Sequence, residues 1–230
     1  MKSRLFLLSQ LILVICLVLS KCSNDHFIRN YTGIPFSDNK YNDGAQTIPG
    51  KIQCEYFDFG GEGTAYHDLD IVNSGSGNLN KQNNNYLHEF RMDESVDISY
   101  TKPNQIDNNT FNFIQPEMNQ LYVGWTEPGE WLNYTINVQT KGIYKIGLMY
   151  TSNGEGQISL SINSNDITGP IDILSTNVSE DTLDWRQWHH WNYLDSIAEV
   201  KLKKGLQILT IHTISNGNMN YDYLLFTLKN

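Results

Sequence analysis

The chain has 230 residues, 40% hydrophobic and 18% charged, which excludes a disordered tail and a polytopic membrane protein. Its net charge is −9, and an acidic surface repels phosphate backbones, so no nucleic-acid partner is expected. Only three cysteines occur (Cys16, Cys22 and Cys54), too few and too clustered for a disulfide framework or a Cys-rich zinc site.

The first element reads as an address. Lys2 and Arg4 precede an apolar stretch, 5–19, interrupted by Ser9 and Gln10. At about 1.5 Å per residue it spans roughly 22 Å, short of the ~30 Å hydrocarbon core. This predicts a secretory signal over 1–21 rather than a membrane span. Leu19-Ser20-Lys21-Cys22 carries the Leu and the small residue of a bacterial lipoprotein signal, and departs from it at Lys21. Two outcomes stay open: lipidation of Cys22, or cleavage nearby that leaves Cys22 a free thiol. Both put the protein outside the cytoplasm, extracellular or at the cell surface, and a lipid on Cys22 would anchor it there, on an outer membrane for instance. Residues 22–49 show no hydrophobic period and carry many Asn, Asp, Gly, Ser and Pro, which predicts a flexible tether.

From Ile52 onward the pattern is β. Strand-like runs cover 52–57, 95–100, 131–138, 144–150, 157–162, 197–202, 206–212 and 221–228. Lys141-Gly142, Asn153-Gly154, Lys204-Gly205 and Asn216-Gly217 supply turns between several of them. No stretch holds a helical apolar stripe for three turns. The expectation is all-β: one jelly roll, a sandwich of two antiparallel sheets, over 50–230. In 131–138, alternation puts Leu132, Tyr134, Ile136 and Val138 on the core face and Trp131, Asn133, Thr135 and Asn137 on the other. A Trp off the core forgoes burial of ~2–3 kcal/mol, so either a loop covers Trp131 or it stacks on something from solution.

Catalytic patterns are weak. Carboxylate pairs could be drawn from Glu62, Asp68, Asp70, Asp93, Glu94, Glu127 or Glu130, but no spacing selects a pair. There is no Gly-x-Ser-x-Gly, His-Glu-x-x-His or P-loop. Cys54 reads as a buried core thiol, and His189-His190 lack a third ligand at metal spacing. Tyr66-His67-Asp68, beside the glycines of 60–63, reads equally as a donor loop and as loop structure. The aromatics stand out. Trp125 sits at a loop edge before Thr126-Glu127-Pro128-Gly129, and Trp185, Trp188 and Trp191 crowd one short segment, too many for all to be core. Pyranoses have flat C–H faces that stack on aromatic planes and hydroxyls that suit amides and carboxylates.

These residues resemble a family 6 carbohydrate-binding module, a β-jelly roll found beside polysaccharide-degrading enzymes. The matching pieces, in order, are Ile52-Gln53-Cys54-Glu55-Tyr56-Phe57, Gly60-Gly61-Glu62-Gly63-Thr64-Ala65-Tyr66-His67-Asp68, Phe90-Arg91-Met92-Asp93-Glu94-Ser95-Val96-Asp97-Ile98 and Val123-Gly124-Trp125 through Gly129-Glu130-Trp131-Leu132-Asn133-Tyr134. Lys141-Gly142-Ile143-Tyr144, Trp185-Arg186-Gln187-Trp188, Lys204-Gly205-Leu206-Gln207-Ile208-Leu209 and Asn220-Tyr221-Asp222-Tyr223 complete them. The resemblance implies an edge cleft in which Trp125 and Trp185 sandwich a sugar and Asn220 hydrogen-bonds it, with Glu62 adding a bond from its loop. Trp188 takes the family's more buried position. It further implies a second site on the concave sheet face at Trp131, and a structural calcium held by Gln53, Glu55 and Asp222.

The function this implies is non-catalytic binding of a plant, algal or microbial polysaccharide, of β-glucan or xylan type, by a monomer. A single module should bind in the micromolar to millimolar range, ~4–8 kcal/mol. The alternatives are a small glycoside hydrolase or lyase on the same jelly roll, and an accessory or adhesion subunit of a polysaccharide-degrading complex.

Overall fold

The structure is a computed structural model and describes residues 27–229. The expected signal over 1–21 and the lipidation candidate Cys22 lie outside the described residues. In chain order the strands are β1 (Gln46–Ile48), β2 (Gly50–Gln53), β3 (Tyr66–His67), β4 (Ser76–Gly77), β5 (Asn80–Lys81), β6 (Ile98–Tyr100), β7 (Leu121–Thr126) and β8 (Trp131–Val138). They continue as β9 (Gly142–Ser152), β10 (Gly156–Ile162), β11 (Asn165–Asp166), β12 (Ile171–Ile173), β13 (Asn192–Leu202), β14 (Gly205–Ser215) and β15 (Met219–Leu228). A four-residue helix, α1 (Tyr86–Glu89), and a 3-10 helix, Asp184–His189, interrupt them.

Two sheets face each other. One runs β1-β8-β14-β10-β11, with β3 on β8 and β12 on β10; the other runs β13-β9-β15-β7-β6, with β2 on β15. From β7 to β10, and again from β12 to β15, sequential strands alternate between the two sheets, as a jelly roll requires. The pairing is antiparallel except for β1 on β8, and for the small β4-β5 pair outside both sheets. The core lies between the sheets, and its β8 contribution is Leu132, Tyr134, Ile136 and Val138, the face assigned by alternation. All four turn signals separate consecutive strands.

Three expectations need correction. The run 52–57 stops as a strand at Gln53, because Tyr56 N–H turns back to the Gln53 carbonyl at 3.2 Å. The run 95–100 is a strand only from Ile98. The tether over 22–49 is, from residue 27, part of the folded body. Its β1 pairs in parallel with β8, Ile48 is fully buried, and Phe36 sits among the rings of Tyr41, Tyr56, Phe59 and Phe90. Polar side chains fasten it as well: the Tyr86 hydroxyl donates to Asp38 at 2.7 Å and the Tyr31 hydroxyl to Asp58 at 2.9 Å.

Candidate functional site

One end of the sandwich gathers the edge-cleft residues through β7, β9 and β15. Pairing slips between these strands: Thr126 opposes Met219 while Val123 opposes Tyr221, so Gly124 and Trp125 together face Asn220. That is a β-bulge, which re-aims a side chain. Trp125 takes a φ of +50°, a left-handed conformation that is rare for a bulky residue, and its residue surface is 42% exposed. Strain of this kind persists where the surroundings over-determine it.

Asn220 is buried, and its amide Nδ2 donates to Thr151 Oγ1 at 2.9 Å and to the Trp188 carbonyl at 2.8 Å. The Thr151 hydroxyl donates to the same carbonyl at 2.9 Å. A Cβ built on Gly124 would lie 2.8 Å from Asn220 Oδ1, so only glycine lets the amide sit this close to the bulge. Asn220 thus links the bulge carrying Trp125 to the 3-10 helix carrying Trp185.

That helix is stapled from both ends. Asp181 accepts Arg186 Nε at 2.6 Å, Arg186 Nη2 at 2.8 Å and His190 Nε2 at 2.8 Å. The hydrogen bonds from Arg186 hold its carboxyl well below the usual range. At the other end Asp107 accepts His189 Nδ1 at 2.8 Å and Trp191 Nε1 at 2.7 Å. The three crowded tryptophans therefore divide: Trp191 is fully buried against Tyr122, Trp188 is half-buried and Trp185 is 51% exposed. Both histidines belong to this scaffold.

Glu62 has other contacts. Its Oε1 lies 2.5 Å from His67 Nδ1 and its Oε2 accepts the Asp68 N–H at 3.1 Å. His67 pairs with Trp131 across β3 and β8, so Glu62 is engaged on the Trp131 side rather than free over the edge. Trp131 is half-buried, with the His67 ring centroid 6.4 Å away. Of the carboxylates from which spacing selected no pair, the fold brings Asp68 and Glu130 together beside Trp131. Asp68 and Glu130 line a narrow cleft with Gly124 and Trp131, and Asp97 lies close by. Burial, and then Glu130, raises Asp68 to about 8; burial, and then Glu127 and Asp97, raises Glu130 to about 7.

The three residues implied as calcium ligands meet where β2 ends against β15. Gln53 pairs with Tyr223, and the Cys54 N–H donates to the Asp222 carbonyl at 2.9 Å. Glu55 reaches this place through the turn after β2, not on a continued strand. Gln53 Oε1, Glu55 Oε2 and Asp222 Oδ1 are all buried without a hydrogen-bond partner. Burial and then Asp222 raise Glu55 well above its usual range, and burial raises Asp222 to about 7. Three orphaned oxygens, two of them carboxylate, form a hard donor set that fits a divalent cation such as calcium.

Exposed, rigidly mounted indoles at the loop edge of a β-sandwich make a binding surface. The family described as carbohydrate binding module (family 6) matches residues 98–228, more than half the chain, and the chain belongs to that family of non-catalytic carbohydrate-binding modules. Among solved structures it is similar to CsCBM6-3 from Clostridium stercorarium in complex with cellobiose (11% identity, 81% of this chain and 99% of that one, TM-score 0.48). It is also similar to a β-1,3-glucan-binding family 6 module from Bacillus halodurans (14%, 79% and 98%, TM-score 0.44). A third is the module of Cellvibrio mixtus lichenase 5A in complex with cellotriose (22%, 48% and 79%, TM-score 0.38). No curated protein matches the chain. Among the described residues, no helix is long and apolar enough to cross a membrane.

Proposed function

We propose that the module captures a polysaccharide of β-glucan or xylan type outside the cytoplasm, stacking one sugar between Trp125 and Trp185 while Asn220 orients it. The observation that carries this is the pairing of two exposed indoles through one buried amide, which touches the backbone of both their segments. Rigid aromatic platforms lose little entropy on binding. Trp131 is a second platform on the concave face. Calcium at Gln53, Glu55 and Asp222 is structural: when bound, it supplies positive charge to oxygens that otherwise lack a partner.

Affinity electrophoresis through gels containing β-glucan or xylan tests this reading. The chain should be retarded, Trp185→Ala should be retarded clearly less, and the variant's melting temperature should stay near that of the parent. Unaltered retardation of Trp185→Ala would remove the edge cleft. Release of reducing ends from the same polysaccharides would overturn the non-catalytic assignment.

A further inference from the structure

The concave face of the β8-β14-β10 sheet bears a groove of about 850 Å³. Its floor is two cross-strand rows. Trp131 opposes His212, which opposes Ser159; one step along, Asn133 opposes Thr210, which opposes Ser161. Residues directly opposite in an antiparallel pair share a face, so each row presents its groups side by side. The wall comes from an unexpected place, the segment 27–32 that precedes β1, through Phe27, Tyr31 and Thr32.

This wall is a fixed part of the fold. The Phe27 and Tyr31 rings stack with centroids 5.9 Å apart. The Tyr31 hydroxyl is held by Asp58, whose carboxylate also accepts the Thr135 N–H at 2.8 Å and hydroxyl at 2.6 Å. Thr135 belongs to β8, so the wall is tied to the strand that carries Trp131. A Cβ on Gly33 would fall 2.2 Å from the Tyr31 hydroxyl oxygen, so the ring folds back only because residue 33 is glycine.

We propose that segment 27–32 is a binding wall that, together with Trp131, encloses a groove for a neutral polysaccharide chain. The inference rests on reading Trp131 as a sugar platform and adds its opposite side and its ligand class. Aromatic faces on the floor and wall stack on the sugar, and the hydroxyls and amide of the rows hydrogen-bond its hydroxyl groups. The carboxylate in the lining, Asp166, repels a sulfated or uronic chain, as does the net charge of −9.

The test is calorimetric titration of the full chain with cellohexaose, laminarihexaose and xylohexaose, and with hexagalacturonate as the charged probe. It is repeated in a Trp125→Ala/Trp185→Ala background, which removes the edge cleft. That background should retain binding of a neutral hexasaccharide. Trp131→Ala should then abolish it, and Phe27→Ala should weaken it about three- to tenfold, the effect of one stacking contact. Thr32→Trp, at an exposed lining position, should block it by filling the groove, with no demand on the Tyr31 packing. If Trp131→Ala abolishes binding while Phe27→Ala and Thr32→Trp leave it intact, the wall is overturned and the Trp131 platform stands. A background that binds nothing, or that prefers hexagalacturonate, also overturns it. Failure of the unaltered chain to bind any neutral hexasaccharide would sink the proposed function as well.

Discussion

Calcium removal should destabilise the fold, and one substitution should reverse the effect. Gln53 Oε1, Glu55 Oε2 and Asp222 Oδ1 are buried without partners. Each buried unsatisfied polar atom costs about 1–3 kcal/mol, so the ion-free site stores roughly 3–9 kcal/mol of destabilisation that a cation can offset. An ion at about a hundred times its Kd contributes ~2.7 kcal/mol. For a domain of this size about 2–4 °C accompany each kcal/mol, so chelation should lower the melting temperature by roughly 5–11 °C. Lys51 does not replace the ion, because its ammonium lies over the Tyr223 ring at 4.0 Å and 3.8 Å from Glu117. Differential scanning calorimetry in calcium and in chelator measures the difference. Glu55→Gln provides the control: it removes one of two carboxyls that repel each other, so it should melt no lower than the parent in chelator and should lose the calcium response. Equal melts of the parent in calcium and chelator would refute the reasoning, and so would a Glu55→Gln protein that still responds.

Gly124→Ala should damage binding without distorting the local backbone. The new Cβ would sit 2.8 Å from Asn220 Oδ1, and the amide cannot retreat without loosening its bonds to Thr151 and Trp188. Loss of one or both costs about 1–2 kcal/mol of stability, and calorimetric titration should show glycan affinity down about tenfold; parental affinity would detach Asn220 from the site. Asp68 gives a pH signature. Its carboxyl is raised from 3.8 to about 8, first by burial and then by Glu130. The folded state therefore keeps a proton that the unfolded chain has already released, so the melting temperature should fall as pH rises from about 4 to about 8 at fixed calcium. Asp68→Asn should flatten that fall, and Glu130, raised to about 7, should leave a smaller one. An unchanged slope in the Asn variant would show that Asp68 is not the group responsible.

Strand β8 was legible to the residue because its apolar and polar positions alternate without interruption, and the four inter-sheet turns because Gly follows Asn or Lys at each. Strand β7 was not, since Gly124 and the Pro128-Gly129 pair that follows read as turn while the pairing partner, β15, lies almost a hundred positions away. The folded part of the expected tether was hidden for a similar reason. Ile34 and Phe36 flank a proline and start no periodic run, and most of the rings that bury Phe36, at 56, 59 and 90, lie beyond any local window. At the site, spacing could say that Trp185, Trp188 and Trp191 were not all core, but not which one was. Asp107, some eighty residues upstream, buries Trp191 by accepting its indole N–H. Glu62 looked available because His67, five residues on, gives no local sign that it turns back to meet it.

Both indole platforms depend on scaffolding built elsewhere in the fold. Trp125 keeps its left-handed backbone because the bulge is closed from below by Asn220, and Asn220 is fixed by the turn that presents Trp185. Trp131 keeps its groove because Tyr31 is tied through Asp58 to the strand that Trp131 begins. On the proposed reading neither indole needs to be ordered by the ligand, so little of the stacking energy would be lost to conformational entropy. The two proposed sites, carried on one body, would also act at a fixed separation. A chain long enough to reach both would bind its second site at an effective concentration near millimolar, which raises avidity above either site alone, whereas a short oligosaccharide would gain nothing. Affinity that climbs steeply with chain length, and loses the climb when either Trp131 or Trp185 is replaced, would mark the two sites as working on one glycan.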